Sequence, residues 1–411
     1  MQTKEENLLQ YAKLIVEVGV NIQKGQDLMI TSPIQTAYFA RALTKCAYEA
    51  GAKKVYVDYV DEELSKVMYM HAPDEAFLEY PKWVAEGKEQ LANHNCAFIS
   101  ISASNPDLLK DVDPKRIATM QKTAGIALEG FRNAIQNGDV AWCVVSIPTA
   151  EWAMKVFPDS KNSEEAIEKL WDKIYISTRI YEEDPVKAWQ LHTKNLEEKT
   201  QFLNSKKITK LHYRSKGTDL YVELPKGHIW QGGGSYNKVG TYYVANMPTE
   251  EVFTMPAKYG IEGKLASTKP LSYGGNLIDH FVLYFEKGRI VDFSAETGYE
   301  TLKALIETDE GSHYLGEVAI VPHHSPVSNT NTIFYNTLFD ENASCHFAIG
   351  SAYPDTIKQG TQMNKEQLEA VGANTSLVHV DFMVGDENLT IEAETESGEH
   401  FTLLKDGNWA F

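Results

Sequence analysis

Apolar positions recur along the first two hundred residues in two alternating periods. Residues 5–18 place Leu8, Tyr11, Ile15 and Val18 on one helical face, and Gly19 can end that helix. Asp27 to Thr31 is a short apolar run of strand character. Ser32-Pro33 then leads into a helix with Phe39, Leu43, Cys46 and Ala50 inward and Gly51 as its stop. Val55–Val57, Ala97–Ile101 and Val140–Ile147 predict further strands, with helical stretches between them. Alternation of strand and helix points to an α/β N-terminal domain built on a mostly parallel sheet with crossover helices. Asp184-Pro185 opens a long helix running to about Asn204, because Asp caps and Pro tolerates the first helical position.

From Ile208 the pattern changes. Gly217 to Leu224 alternates at period two, as a half-buried strand does, and many short strands with turn residues follow. Gly232-Gly233-Gly234 reads as a connecting loop. The second half is therefore expected to be α+β and rich in antiparallel strands. The division falls at residues 1–205, an α/β scaffold, and 206–411, a β-rich half. No Pro/Gly/Ser linker marks the join, so the two halves are expected to pack closely.

The chemistry-bearing residues cluster in the second half. His379-Val380-Asp381 lies in the strand-like stretch Leu377–Met383. Residues at i and i+2 of a strand point to one face, so His379 and Asp381 can share a target while Val380 and Phe382 face a core. Glu317 is flanked by Leu315 and Val318–Val321, an environment that buries a carboxylate only against a cation or hydrogen bonds. Glu251 precedes the strand-like Val252-Phe253-Thr254; one of Glu250 and Glu251 is expected to be a solvated acid. Glu341 and His346 are five apart, which no single stripe of a straight helix accommodates, so a loop or helix start must join them. A mixed set of carboxylates and imidazoles suits divalent metals that take N and O ligands. Glu251, Glu317, Glu341 and Asp381 supply four negative charges and the two neutral histidines none. Two divalent ions cancel that charge where one leaves an excess, which favours a dinuclear site. Cys345 beside His346 is a poor nucleophile–base pair, because adjacent side chains diverge. His323-His324 reads as a loop pair.

Composition narrows the partners. The chain has 411 residues and a formal net charge of −18. A surface that acidic repels phosphate backbones and anionic lipid, so nucleic acid and membrane partners are not expected. No Gly-x-Gly-x-x-Gly or Gly-x-x-x-x-Gly-Lys loop offers a nucleotide site. The N-terminus lacks a signal-peptide pattern, and no segment approaches the ~20 apolar residues of a membrane helix. Cys46, Cys96, Cys143 and Cys345 are scattered and read as reduced thiols, which suggests the cytoplasm.

Four segments in this order, Asn246–Thr254, Leu338–His346, Gly350–Pro354 and Asn374–Met383, resemble the thermophilic-type metalloaminopeptidases, the family of aminopeptidases T and S. The resemblance implies a cytoplasmic, homodimeric exopeptidase that holds two divalent metal ions, Zn or Co with Mn or Mg as further options, and removes N-terminal residues from peptides. It implies Glu251, Glu317, Glu341, His346, His379 and Asp381 as metal ligands, with Glu251 favoured over Glu250. Tyr353 also falls in a family motif, as a candidate oxyanion donor or metal contact; as a mechanistic expectation, Glu341 is the carboxylate able to double as proton shuttle if it is not a tight ligand. Two rivals remain on residues alone: another metal-dependent amidohydrolase, such as a dipeptidase or deacylase, and a non-enzymatic metal-binding protein.

Overall fold

The computed structural model describes residues 3–103 and 105–411. Helix Lys4–Leu14 starts at a reciprocal cap between Thr3 and Glu6, and a wider π turn carries it on through Gly19. Its apolar face buries Tyr11 and Ile15 as the spacing predicts. The parallel sheet has five strands, in the order Asn246–Met247, Trp142–Val145, Ala97–Ile101, Asp27–Pro33 and Lys54–Val60. Every pairing in it is parallel. The first of these strands comes from the second half of the sequence, so the chain returns to complete the sheet it began. Phe334, Leu338 and Phe339 return as well and enter the core beneath that sheet. The long helix Pro185–Lys206 is capped by Asp184, whose side chain accepts from the Lys187 amide.

Two larger antiparallel sheets follow, beside a two-stranded ribbon of Ser235–Tyr236 and Tyr242–Tyr243. One is large and contains the alternating strand Thr218–Glu223 and its partner Ile208–Ser215. The other has five strands, in the order His379–Met383, His346–Gly350, Leu315–Ile320, Val252–Thr254 and Gln231–Gly232. The two stack face to face over one apolar core. Phe347 meets Tyr213 at 5.1 Å and Phe382 meets Phe281 at 5.4 Å between ring centres. Val252, Val318, Ile320, Phe347, Ile349 and Phe382 all lie in that core. Each such burial contributes roughly 1.5–3 kcal/mol, enough to hold the smaller sheet in place while its opposite face carries charge. The glycine run is packed rather than loose. Gly232 pairs with Val252, and a Cβ at Gly233 would press on the Thr193 carbonyl at 2.9 Å.

Candidate metal centre

The register of the smaller sheet decides which side chains meet. Phe253 lies opposite Ala319, Ala319 opposite His346, and His346 opposite Met383. Ala348 lies opposite both Glu317 and Asp381, and Gly350 opposite His379. With the apolar set in the core, the alternate set faces the other way: Glu317, His346, His379 and Asp381, with Glu251 continuing the phase of Phe253. Small residues at 319, 348 and 350 leave room between the charged ones.

Glu317 reaches this face through a bulge. By simple alternation it would share the core-facing phase of Leu315. Leu315 instead pairs with Ile349 and Glu317 with Ala348, so Gly316 is the extra residue. The bulge turns Glu317 over while Leu315 and Val318 both stay in the core. Only glycine fits there, since a Cβ at 316 would clash with the carbonyl oxygens of Gly350 and Ser351.

Five of the six expected ligands converge in two overlapping groups, Glu251–Glu317–His346 and Glu317–His379–Asp381; in each, one candidate ligand atom per residue lies within 4.8 Å of the others. His346 Nε2 is 2.9 Å from Glu251 Oε2 and 3.6 Å from Glu317 Oε1. His379 Nε2 is 3.5 Å from Glu317 Oε2 and 3.6 Å from Asp381 Oδ1. Glu317 thus faces one group with each carboxylate oxygen. Glu341 ends the helix Thr337–Glu341, beside the cluster but outside both groups. A helix end and a tight turn, rather than a helix start, bring it near His346. Tyr353 packs edge-on against His379 at 4.7 Å.

Both imidazoles are oriented through Nδ1. His346 Nδ1–H donates to the carbonyls of Glu341 and Ser344, each at 3.0 Å, and His379 Nδ1–H to that of Ser351 at 2.7 Å. That leaves Nε2 of each ring for the carboxylate side, the arrangement that fixes metal-ligating histidines. Asp381 Oδ1 is buried without a hydrogen-bond donor. An orphaned carboxylate oxygen, two presented Nε2 atoms and two further acids make a donor set that fits divalent cations.

Charge in this site shifts its own titrations. Burial, with Asp381 and Glu251 close by, pushes the Glu317 carboxyl up to about 7. Burial and the same two neighbours also raise Glu341 well above the usual carboxylate range. Burial opposes charge on His346 and His379, but the carboxylates outweigh it and raise both, His379 to about 9. Burial and four nearby acids keep the Tyr353 phenol protonated.

The expectation that one of Glu250 and Glu251 is solvated is corrected: both are buried. Glu250 is held by Arg179 from the other half of the chain, at 2.7 and 3.1 Å. Its charge is thereby spent, and Glu251 is the acid left for the cluster. Asn342 was not foreseen either. It accepts from the Glu250 amide at 2.7 Å and donates to Glu341 Oε1 at 3.3 Å, joining two segments of the site. Cys345 is buried, and its thiol, pushed up to about 11 by that burial, donates to the Val321 carbonyl; it is no nucleophile. His323 and His324 lie in a loop that pairs with Gly407 and Asn408, away from the cluster.

The cluster opens onto a cavity of about 740 Å³ between the two halves, and Glu341, Tyr353, His379 and Asp381 also line a second of about 640 Å³. Paired carboxylates and imidazoles on a rigid sheet at the wall of a deep cleft define a metallohydrolase. Comparison with known proteins makes the class specific. Residues 4–409 match the family model described as thermophilic metalloprotease (M29). The chain is 53% identical over 411 residues to aminopeptidase AmpS of Bacillus subtilis, with both chains wholly covered. It is 38% identical over 409 residues to aminopeptidase T of Thermus thermophilus, again across both full lengths. The solved structure of wild-type AmpT from Thermus thermophilus superposes with a TM-score of 0.91 at 37% identity, covering 100% of each chain. This chain belongs to the M29 family of thermophilic metalloproteases, and its hydrolytic chemistry depends on a metal.

Proposed function

We propose that the chain removes N-terminal residues from peptides using two divalent ions held by Glu251, Glu317, His346, His379 and Asp381, with Glu317 shared between them. The chain is a metal-dependent aminopeptidase; the sharing of Glu317 between two ligand groups is the observation that carries the two-ion reading. Two dications cancel the four carboxylate charges of Glu251, Glu317, Glu341 and Asp381, so the buried acids are compensated. Divalent ions bound there supply Lewis acidity to water and to the scissile carbonyl.

The chain's own groups do the rest. Glu341, beside the cluster but outside both ligand groups, takes the proton of the attacking water and returns it to the departing amine nitrogen. The protonated Tyr353 phenol donates to the oxyanion forming on the carbonyl. The main-chain bonds at Nδ1 hold both imidazoles in register throughout. An all N/O donor set suits Zn or Co, with Mn or Mg as alternatives. The split at residue 205 belongs to this reading: residues 206–411 supply the six acids and imidazoles, and 1–205 supply cavity walls such as Trp142 and Glu197. So do a cytoplasmic setting and a homodimer. The four free cysteines are in keeping with the first. The exposed stripe of Leu64, Val67 and Met70 would suit the second. No helix among the described residues is long and apolar enough to cross a membrane.

Chelated protein is expected to lose turnover of aminoacyl-p-nitroanilides and to regain it with Zn or Co as two ions per chain are taken up. Full activity after the metal is stripped would defeat the reading. Acetylated peptides should resist cleavage where free ones do not; equal cleavage of both would favour a deacylase or general amidohydrolase.

A further inference from the structure

One carboxylate in the main cavity has no counter-charge. Asp355 lies in the short turn Pro354–Thr356, directly after the motif that carries Tyr353, and lines the cavity. Its Oδ1 is shielded from solvent and has no hydrogen-bond donor. No Lys or Arg among the described residues lies within ion-pair distance of it. The cavity's other outlying acids are satisfied. Glu197 accepts from the Tyr242 hydroxyl at 3.2 Å, and Asp139 faces Lys238 at 3.6 Å. Lys238 is the one Lys or Arg among the described residues lining this cavity, and its side chain is 73% exposed.

The turn is anchored at a defined place. Gln231 Nε2–H donates to the Asp355 carbonyl at 2.9 Å, and Gln231 pairs with Phe253 in the sheet that carries the metal cluster. Gln231 sits two strands from the strand of Glu317, roughly 10 Å at ordinary strand spacing. Asp355 therefore stands along the same cavity wall, set back from the reacting centre. An uncompensated carboxylate whose oxygen is shielded from solvent is costly by itself and favours whatever cation enters beside it.

We propose that Asp355 is the counter-charge for a cationic group of the bound substrate. This rests on the aminopeptidase reading and deepens it. That group is a basic side chain on the first residue, whose long stem suits the set-back position; the α-ammonium, one carbon from the scissile carbonyl, stays at the reacting centre.

The test compares the metal-loaded full chain with Asp355→Asn and Asp355→Glu on alanyl-, lysyl- and arginyl-p-nitroanilide. Asp355→Asn should lower kcat/KM roughly ten- to hundredfold, the worth of a hydrogen bond to a charged group. A loss confined to the lysyl and arginyl substrates supports the pairing with a basic side chain; an equal loss on all three is a general effect on the site and overturns it. Asp355→Glu should recover part of the loss, which a merely structural role would not produce, and Asp355→Asn should melt no lower than the parent. Unchanged kcat/KM for Asp355→Asn on all three substrates overturns the proposal. A parent protein inert on all three removes the aminopeptidase reading, and this one with it.

Discussion

Glu317 concentrates the chemistry of the site in a single side chain. Its two oxygens face different histidines, and burial raises its proton affinity. On the two-ion reading, an amide at 317 takes a donor from both ions at once. Glu317→Gln should therefore lower the bound metal below two per chain. It should also cost more activity than the about ten- to hundredfold that follows loss of an outer hydrogen-bond partner. Metal analysis beside turnover checks this, and a variant that keeps two ions and near-normal kcat would contradict the sharing. Glu250 shows the opposite case one residue away from the proposed ligand Glu251. Its charge is matched by Arg179, so it serves the fold, and removing either partner would strand the other as a buried charge.

At the scale of elements, the bulge at Gly316 sets the geometry. Gly316→Ala should destabilise the protein by about 1–3 kcal/mol, as overpacking does, and lower activity by displacing Glu317. Urea unfolding together with turnover measures both; an unperturbed variant would show that the strand has slack the packing denies. The same element marks the limit of what the sequence reveals. Period-two reasoning places His379 and Asp381 on one face and Val380 and Phe382 on the other, as the sheet has them. Applied to Leu315 and Glu317 it gives the wrong phase, because an inserted residue leaves no mark on alternation. The helix opened by Asp184-Pro185 is legible because its signal is local. The partner of Glu250 is not, since Arg179 stands 71 positions away. The strand Asn246–Met247 is equally hidden: two residues are too few to show a period. The ligand segments were legible as types and by family resemblance, whereas their convergence depends on register between strands far apart in the chain.

Across the whole molecule, the fold places one charged sheet face against a cleft whose other wall is the parallel sheet's half. Apolar packing behind that face stabilises what the acids in front of it destabilise. Without metal, protons are the available compensation, and this sets a pH dependence. Glu317 moves from an ordinary value near 4.5 up to about 7 in the fold. The folded state then binds more protons than the unfolded one between those values, so stability falls as pH rises through them. His379 moves from near 6.5 up to about 9, so its contribution is complete below 6.5 and is lost as pH rises through 9. Asp381 is shifted the other way, with burial opposing and the His379 charge prevailing, so its contribution is lost only in acid. In succession the two upward shifts span about pH 4.5 to 9. Metal binding needs the same groups without their protons, so it strengthens over that same range. Chelated protein should show a melting temperature that declines from about pH 5 to pH 9. The increment that added Zn or Co gives, which grows with ligand saturation, should widen as pH rises. Melting curves at fixed protein concentration, with and without metal, measure both trends. A metal increment that is flat or shrinking toward alkaline pH would mean that the ions bind somewhere other than among these protonated carboxylates and imidazoles.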